Sequence, residues 1–537
     1  MSQTRRQFIA TAAAVGALSL RPGGAAEPPG SVRQSLAAFS ADPVRVASLR
    51  KGVAAMKALP GSDHRSWFFW AAVHAYGDAL FDAEARRDPK LKTVNAERYW
   101  NKCPHFGQSS AEFALWHRAY LHFFERHLRL MAGDPMLALP YWDYASEEGR
   151  VFPAIYAPQF IDRAGTEPNP LFHPNREVSF ARGLLEISAA IGQAPKTAAA
   201  ATFFHAVGTP GFGGDTLDSD RTQIGLLEQR PHNDIHLAVG GVIDDANGAM
   251  AEITTAAFDP VFWVHHANID RLWAQWASTA GKDWGPLPSV DWFDEKPWLF
   301  VDTDGSDVMI SRRDAIGLLA AYDVDYSSQL AVPAPPAPPP PPVTSMSSGG
   351  SDRAMAMPPM VGAAAPHPHS RARPRERELF ADRTPLIVSP KSAARRQFGA
   401  PPAALAPGMA AAAPTVLAAP ELADGTSKVL LELSGISFAL VPSSGFAVFL
   451  DSAGEAPSDE PVGLIDIFGA THHGGGMAAM AGMAAQRFDV TAILRRSRGP
   501  YTLRVEPYTL LVTHEGKPNR SRTDAVKIAS VRFIVIA

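Results

Sequence analysis

The chain has 537 residues, 19% of them charged, and a formal net charge of −4. That length exceeds what one hydrophobic core holds, so two or more domains are expected, and the near-neutral balance speaks against nucleic acid or a strongly charged membrane surface as partner. Cys103 is the sole cysteine, which excludes an internal disulfide.

The N-terminus reads as an address. Thr4-Arg5-Arg6-Gln7-Phe8-Ile9 sets paired arginines before a phenylalanine, and the apolar run 9–20 is too short to span a membrane. The pattern resembles a twin-arginine export signal cleaved after Ala26, and implies a periplasmic or secreted protein.

Residues 31–56 follow as a leading helical segment. In 66–80 (SWFFWAAVHAYGDAL), Trp67, Trp70, Ala71 and His74 recur at helical spacing, so His74 lies on an aromatic face. A loop is expected over 87–102. Residues 101–131 (NKCPHFGQSSAEFALWHRAYLHFFERHLRLM) place His105 in a loop, and His117, Leu121, Phe124 and Leu128 in one stripe of an amphipathic helix. His122 and His127 fall off that stripe and read as solvated or as support for its histidine.

Residues 136–144 read as extended and buried, and 153–212 as irregular loops with short helices. In 228–236 (EQRPHNDIH), His232 and His236 lie four apart on one face of a helix. In 258–276 (FDPVFWVHHANIDRLWAQW), Phe262, Ile269, Trp273 and Trp276 share a face with His266, which follows His265 directly. One buried imidazole is ordinarily satisfied by a backbone carbonyl. Three on two helices, with three more upstream, point to metal. Residues 290–326 pack a strand-and-turn pattern against one short helix.

The composition changes at 331. Residues 331–342 (AVPAPPAPPPPP) form a semi-rigid proline spacer, and the basic run 371–377 (RARPRER) reads as open to proteases. Strand-like runs at 429–433, 446–450, 501–505 and 531–536, separated by turn residues, predict a β-sandwich or barrel.

The candidate ligands form two sets: His74, His105 and His117, then His232, His236 and His266. Imidazoles without a carboxylate disfavour hydrolytic zinc and the two-His-one-carboxylate iron site. The motif from His232 to His236 also lacks the glutamate of zinc proteases. Two metals with three imidazoles each fit a copper pair that binds dioxygen. The expected fold is a mainly α dicopper domain, a helix bundle, followed by a C-terminal β-sandwich-like domain. The expected divisions are 1–26 signal, 27–289 dicopper domain, 290–330 a segment packed on it, 331–378 linker and 379–537 β domain.

Over 66–276, with His117-Arg118 and 259–273 as its most specific parts, the sequence resembles the tyrosinase and polyphenol oxidase family of type 3 copper proteins. The resemblance implies that His74, His105 and His117 hold one copper and His232, His236 and His266 the other, with His265 supporting its neighbour. Residues 107–112 then read as a small insertion. Cys103, two residues before His105, matches a family position that forms a thioether to that histidine. Glu228 and Asn233 match positions that hold a water able to take a phenol's proton. The implied reaction is oxidation of o-diphenols to o-quinones with dioxygen, and ortho-hydroxylation of monophenols.

The trio Asp291-Trp292-Phe293 with 322–326, and 486–490 in the β region, resemble plant polyphenol oxidases and imply a tail that covers the copper entrance until the linker is cut. The segments 354–369 and 471–483, rich in Met and His, offer ligands for copper loading. The partners expected are small phenols, with no nucleic acid, no membrane and no assigned oligomeric state. The competing readings are a diphenol-only catechol oxidase or an o-aminophenol oxidase, a haemocyanin-like oxygen carrier, and a zinc hydrolase.

Overall fold

The computed structural model describes residues 31–104, 112–206, 210–215, 224–289, 291–324, 376–398, 427–468, 485–497, 499–519 and 525–536. The export segment, His105, the insertion at 107–111, and the segments 331–342, 354–369 and 471–483 lie outside the described residues. No helix among the described residues is long and apolar enough to cross a membrane.

The helical domain is organised by α1 (Pro43–Ala58), α2 (Trp67–His74), α3 (Phe113–Ala132), α4 (Ala189–Ala200), α5 (Asp234–Gly240) and α6 (Val261–Ala277). Helix α1 starts at Pro43 because Asp42 accepts the Val44 N–H at 2.9 Å and proline gives up no needed donor there. Helix α2 starts under the Ser66 hydroxyl, which accepts from Phe69 N–H at 2.9 Å, and every one of its residues is buried. The periodicity of 66–80 is interrupted after His74 by extended Ala75, and a separate helix begins at Asp78. The loop expected over 87–102 holds two short helical turns, started by Asp88 and Asn95 side chains.

Helix α3 is the spine. It packs against α1, α6, the strand Trp298–Val301 and the short helix Arg312–Gly317. A Cβ at Gly52 would lie 2.8 Å from Leu128 Cδ1 and 3.1 Å from the Leu128 carbonyl oxygen, so glycine sets the approach of α1 to α3. On the other side Phe124 stacks on Trp263 of α6 at 3.4 Å, and Tyr120 packs on the same indole at 4.9 Å. With all sides covered, His122 and His127 are buried, contrary to the solvated reading. His127 bonds through Nδ1 to the Phe123 carbonyl at 2.9 Å and packs on Trp70 at 4.6 Å.

A buried ionic knot ties these elements together. Asp270 of α6 accepts from Arg118 Nε of α3 at 2.6 Å, from Arg33 at 2.9 Å and from the Tyr322 hydroxyl at 2.6 Å. Arg33 also reaches Glu125 of α3 at 2.6 Å, and Glu125 accepts the Leu139 N–H at 2.8 Å. Burial by itself would raise the Asp270 carboxyl; Arg118 and Arg33 hold it below the ordinary value. A second buried pair, Arg176 with Asp259, fixes the start of α6, where Asp259 also accepts Val261 N–H at 2.9 Å.

The second domain is a β-sandwich. In the helical domain, β1 is Leu185–Ile187. The sandwich strands are β2 (Glu376–Asp382), β3 (Ala394–Phe398), β4 (Lys428–Ser434), β5 (Ser444–Ser452), β6 (Gly463–Ile465), β7 (Gln486–Asp489), β8 (Tyr501–Thr509) and β10 (Ser530–Ile536), with the short β9 (Leu511–Thr513) following β8 outside both sheets. Two antiparallel sheets have the orders β3-β8-β5-β6 and β7-β4-β10-β2. The first strand begins at Glu376, inside the segment read as linker, because Glu376 pairs with Ile536. Glu432 in central β4 is fully buried, and Arg487 and Arg532 from the flanking strands neutralise it. The domains share a sheet: β1 pairs antiparallel with β9, Leu185 opposite Thr513 and Ile187 opposite Leu511.

Burial pushes the His127 imidazole down to about 4, against the raising effect of its bond to the Phe123 carbonyl. The unfolded chain, with histidine at 6.5, then binds more protons than the folded one between pH 6.5 and about 4, so stability falls as pH drops through that window. Replacing His127 by Phe is expected to remove about 3 kcal/mol of this acid sensitivity. The check is urea unfolding by tryptophan fluorescence at neutral and acid pH; equal pH dependence in both proteins counts against it.

Candidate metal centre

Residues from four helices and two turns converge in the dry space between α2, α3, α5 and α6. His74 ends α2, His117 lies one turn into α3, and His266 lies one turn into α6. All are buried. The His117 and His266 rings stack at 4.3 Å and 15°, while His74 lies 5.7 Å from His117 and 6.4 Å from His266. Phe262, one turn before His266 on the same face, packs edge-on against His74 at 4.9 Å.

Two donor groups result, and within each the donor atoms lie within 4.8 Å of one another. The first holds His74, His117 and Cys103; Cys103 Sγ lies 3.7 Å from His117 Nε2. The second holds His232, His236, His265 and His266. The structure thus brings together five of the six predicted ligands, and it adds His265 to the second group, where only a supporting place was expected. His105 lies outside the described residues.

Backbone and amide partners aim the rings. His117 Nδ1 bonds to the Phe113 carbonyl at 2.8 Å and His236 Nδ1 to the Met250 carbonyl at 2.8 Å, which turns each Nε2 inward. His232 Nδ1 bonds to Asn233 Oδ1 at 2.7 Å, and its Nε2 lies 3.3 Å from His266 Nε2. Among the described residues, both ring nitrogens of His265 and Nδ1 of His266 have no hydrogen-bond partner. Burial first, then neighbouring imidazoles, pushes the His265 ring down to about 3 and holds His266 well below its usual value. Buried, converging imidazoles with a thiol and no carboxylate in either donor group fit a pair of borderline-soft transition metals such as copper.

Asn233 touches the second group through His232, and Glu228 lies four residues before His232 in the same segment. Both are buried, at the two ends of the turn Glu228–Asn233. The sequence reading put His232 and His236 on one helix; Arg230 is extended (φ −148°, ψ 132°), as the residue before Pro231 is driven to be, and α5 begins only at Asp234, two residues past His232. His232 and His236 still face together, with rings 4.5 Å apart.

The β-sandwich closes the open side. Phe468, just past β6, stacks on His236 at 4.0 Å and meets His232 edge-on at 5.7 Å. Asn233 Nδ2 donates to Asp466 at 2.7 Å, Gln229 to the Leu464 carbonyl at 3.0 Å, and Tyr508 hydroxyl to Asp234 at 2.6 Å. The sequence pattern did not single out residues 464–468: their only signal is a short apolar run between two strands.

The common central domain of tyrosinase matches residues 64–209 and 197–279. A tyrosinase of Hahella sp. (strain CCB-MM4) is 31% identical over 288 residues, covering 49% of this chain and 57% of that protein. The (+)-larreatricin hydroxylase of Larrea tridentata is 31% identical over 309 residues, covering 54% of this chain and 48% of that one. The matched stretch thus spans about half the length of these relatives. The solved structure of latent apple tyrosinase aligns with 96% of this chain and 98% of its own, at a TM-score of 0.53 and 20% identity, so the likeness of fold extends through the sandwich.

His236 belongs to one donor group only. Its replacement by Asn is therefore expected to leave one metal equivalent where the parent protein holds two, counted by elemental analysis after copper loading and dialysis. Two equivalents retained by the variant would remove His236 from the ligand set.

Proposed function

The chain belongs to the tyrosinase and polyphenol oxidase family, and from that premise we propose that it is a copper oxidoreductase that uses dioxygen to oxidise o-diphenols to o-quinones and to hydroxylate monophenols. The observation that carries this reading is the meeting of two buried imidazole groups across the stacked His117 and His266 rings. His74, His105 and His117 would hold one copper and His232, His236 and His266 the other; the pair would bind dioxygen and accept electrons from the phenol.

The chain's own residues do the rest. Aromatic side chains around the histidines, Phe113 at 4.6 Å from His232 and Phe262 at 4.2 Å from His266 among them, keep the site dry, which strengthens every charge interaction inside it. Hydroxylation requires the phenol to lose its proton. Glu228 supplies a buried carboxylate, and the Asn233 amide, next to His232 in sequence, would orient a water between carboxylate and phenol.

The same reading makes the protein latent. Phe468 stacks on His236, and a phenol ring approaching that histidine would have to displace it. Cys103 is taken as a thioether partner of His105, which would consume the one thiol of an exported chain.

Oxygen uptake with a monophenol and its matching o-diphenol tests the reading on the copper-loaded full chain and on Phe468→Ala. Both substrates should be consumed, faster by the variant. In the Phe468→Ala background, Glu228→Gln should lower monophenol hydroxylation by about 100-fold or more and leave diphenol oxidation largely intact. Consumption of the diphenol alone would establish a catechol oxidase, and no uptake by the opened protein would reject phenol oxidation. For the thioether, the intact mass of denatured, copper-matured protein should fall by two hydrogens; an unchanged mass with a thiol open to alkylation rejects the bond.

A further inference from the structure

The covering domain does more than block the entrance. Asp466 is held by its own sandwich at two points: its N–H donates to Gln486 Oε1 at 2.8 Å and its carbonyl accepts from Gln486 Nε2 at 2.8 Å. Its carboxylate caps Phe468 N–H at 3.2 Å and reaches across the domain boundary to accept Asn233 Nδ2 at 2.7 Å. The oxygen of that same amide lies 2.7 Å from His232 Nδ1, and His232 Nε2 points to the donor group, 3.3 Å from His266 Nε2. Carboxylate, amide and imidazole therefore form an unbroken line from the β-sandwich to the second metal position.

The direction of each bond is fixed by chemistry. An amide that donates Nδ2–H to a carboxylate presents its oxygen to the imidazole, and that oxygen can only accept, so His232 carries its proton on Nδ1 and offers the Nε2 lone pair. The negative charge of Asp466 polarises the amide and strengthens the second bond, which makes Nε2 a better donor to a metal.

We propose that Asp466 is a positioning residue for the second copper, acting through Asn233 to fix the tautomer and direction of His232. This rests on the dicopper reading given above. The β-sandwich then retains the metal in the closed protein as well as excluding substrate. Asn233 then has two roles: through Asp466 it steadies a ligand, and on the reading above it orients the water that takes a phenol's proton.

The test is copper affinity rather than turnover. The full-length protein is titrated at equilibrium against a copper chelator, with thermal unfolding to confirm that each variant is folded. Asp466→Ala should weaken the second ion about tenfold or more and leave the first unchanged, as expected when a ligand loses its orienting partner. Asp466→Asn, which keeps an acceptor oxygen and loses the charge, should fall between the two, and Asp466→Glu should restore much of the loss. Phe468→Ala removes the covering ring without touching the line, and should stay within a few-fold of the parent. Equal affinities in parent, Asp466→Ala and Asp466→Asn overturn the proposal, as does a Phe468→Ala loss equal to that of Asp466→Ala, which would mean closure alone retains the ion. A parent protein that takes up no second copper fails the dicopper reading itself, and the proposal with it.

Discussion

The buried carboxylate of Asp270 is the constraint on which the centre depends. It lies one turn beyond His266 on α6, and its partner Arg118 is the residue next to His117 on α3. Their 2.6 Å bond therefore sets the register in which the two imidazoles meet. An unpaired carboxylate in such a place costs several kcal/mol, so the helices cannot slide without exposing a charge to a dry interior. Arg33 and Tyr322 complete the shell from segments at opposite ends of the helical domain. Arg118 also lies 3.6 Å over the Trp273 ring, so the indole stabilises its charge as well.

Dryness is the second requirement, and it has a chemical consequence. Packed against Phe262 and stacked on His117, His266 does not take up a second proton, because burial disfavours the charged form and the neighbouring imidazoles add to that. The form left is the neutral one that binds a transition metal. Helices alone leave one side open over His236, and the β-sandwich supplies that wall with Phe468. The sandwich is anchored by side-chain bonds around α5 and by the β1 and β9 pairing, which joins the two domains through main-chain hydrogen bonds. A cut in the chain between the domains leaves all of these in place, so release of the site needs them broken as well.

Helical spacing in the sequence placed His74, His117 and His266 on apolar faces, and the spacing of His232 and His236 paired them correctly, because each lies within one short segment whose period is fixed by local geometry. Four of the eight strands in the two sheets, β4, β5, β8 and β10, were legible for the same reason, and the other four were not. The extended Arg230 before Pro231 formed no part of the sequence reading, and the burial of His127 was missed because a stripe on one helix face does not reveal which other faces a neighbour covers.

What the sequence determined by itself, then, is the local set: which segments are helices and strands, which imidazoles share a face, and that their number and kind suit copper. Tertiary structure alone decided that Arg33 and Tyr322 close on Asp270, that His265 joins the second donor group, and that Asp466 and Phe468 reach the site from a loop more than two hundred residues away. Such contacts join segments with no common period, and they form only when burial of two apolar faces brings polar groups into reach of one another.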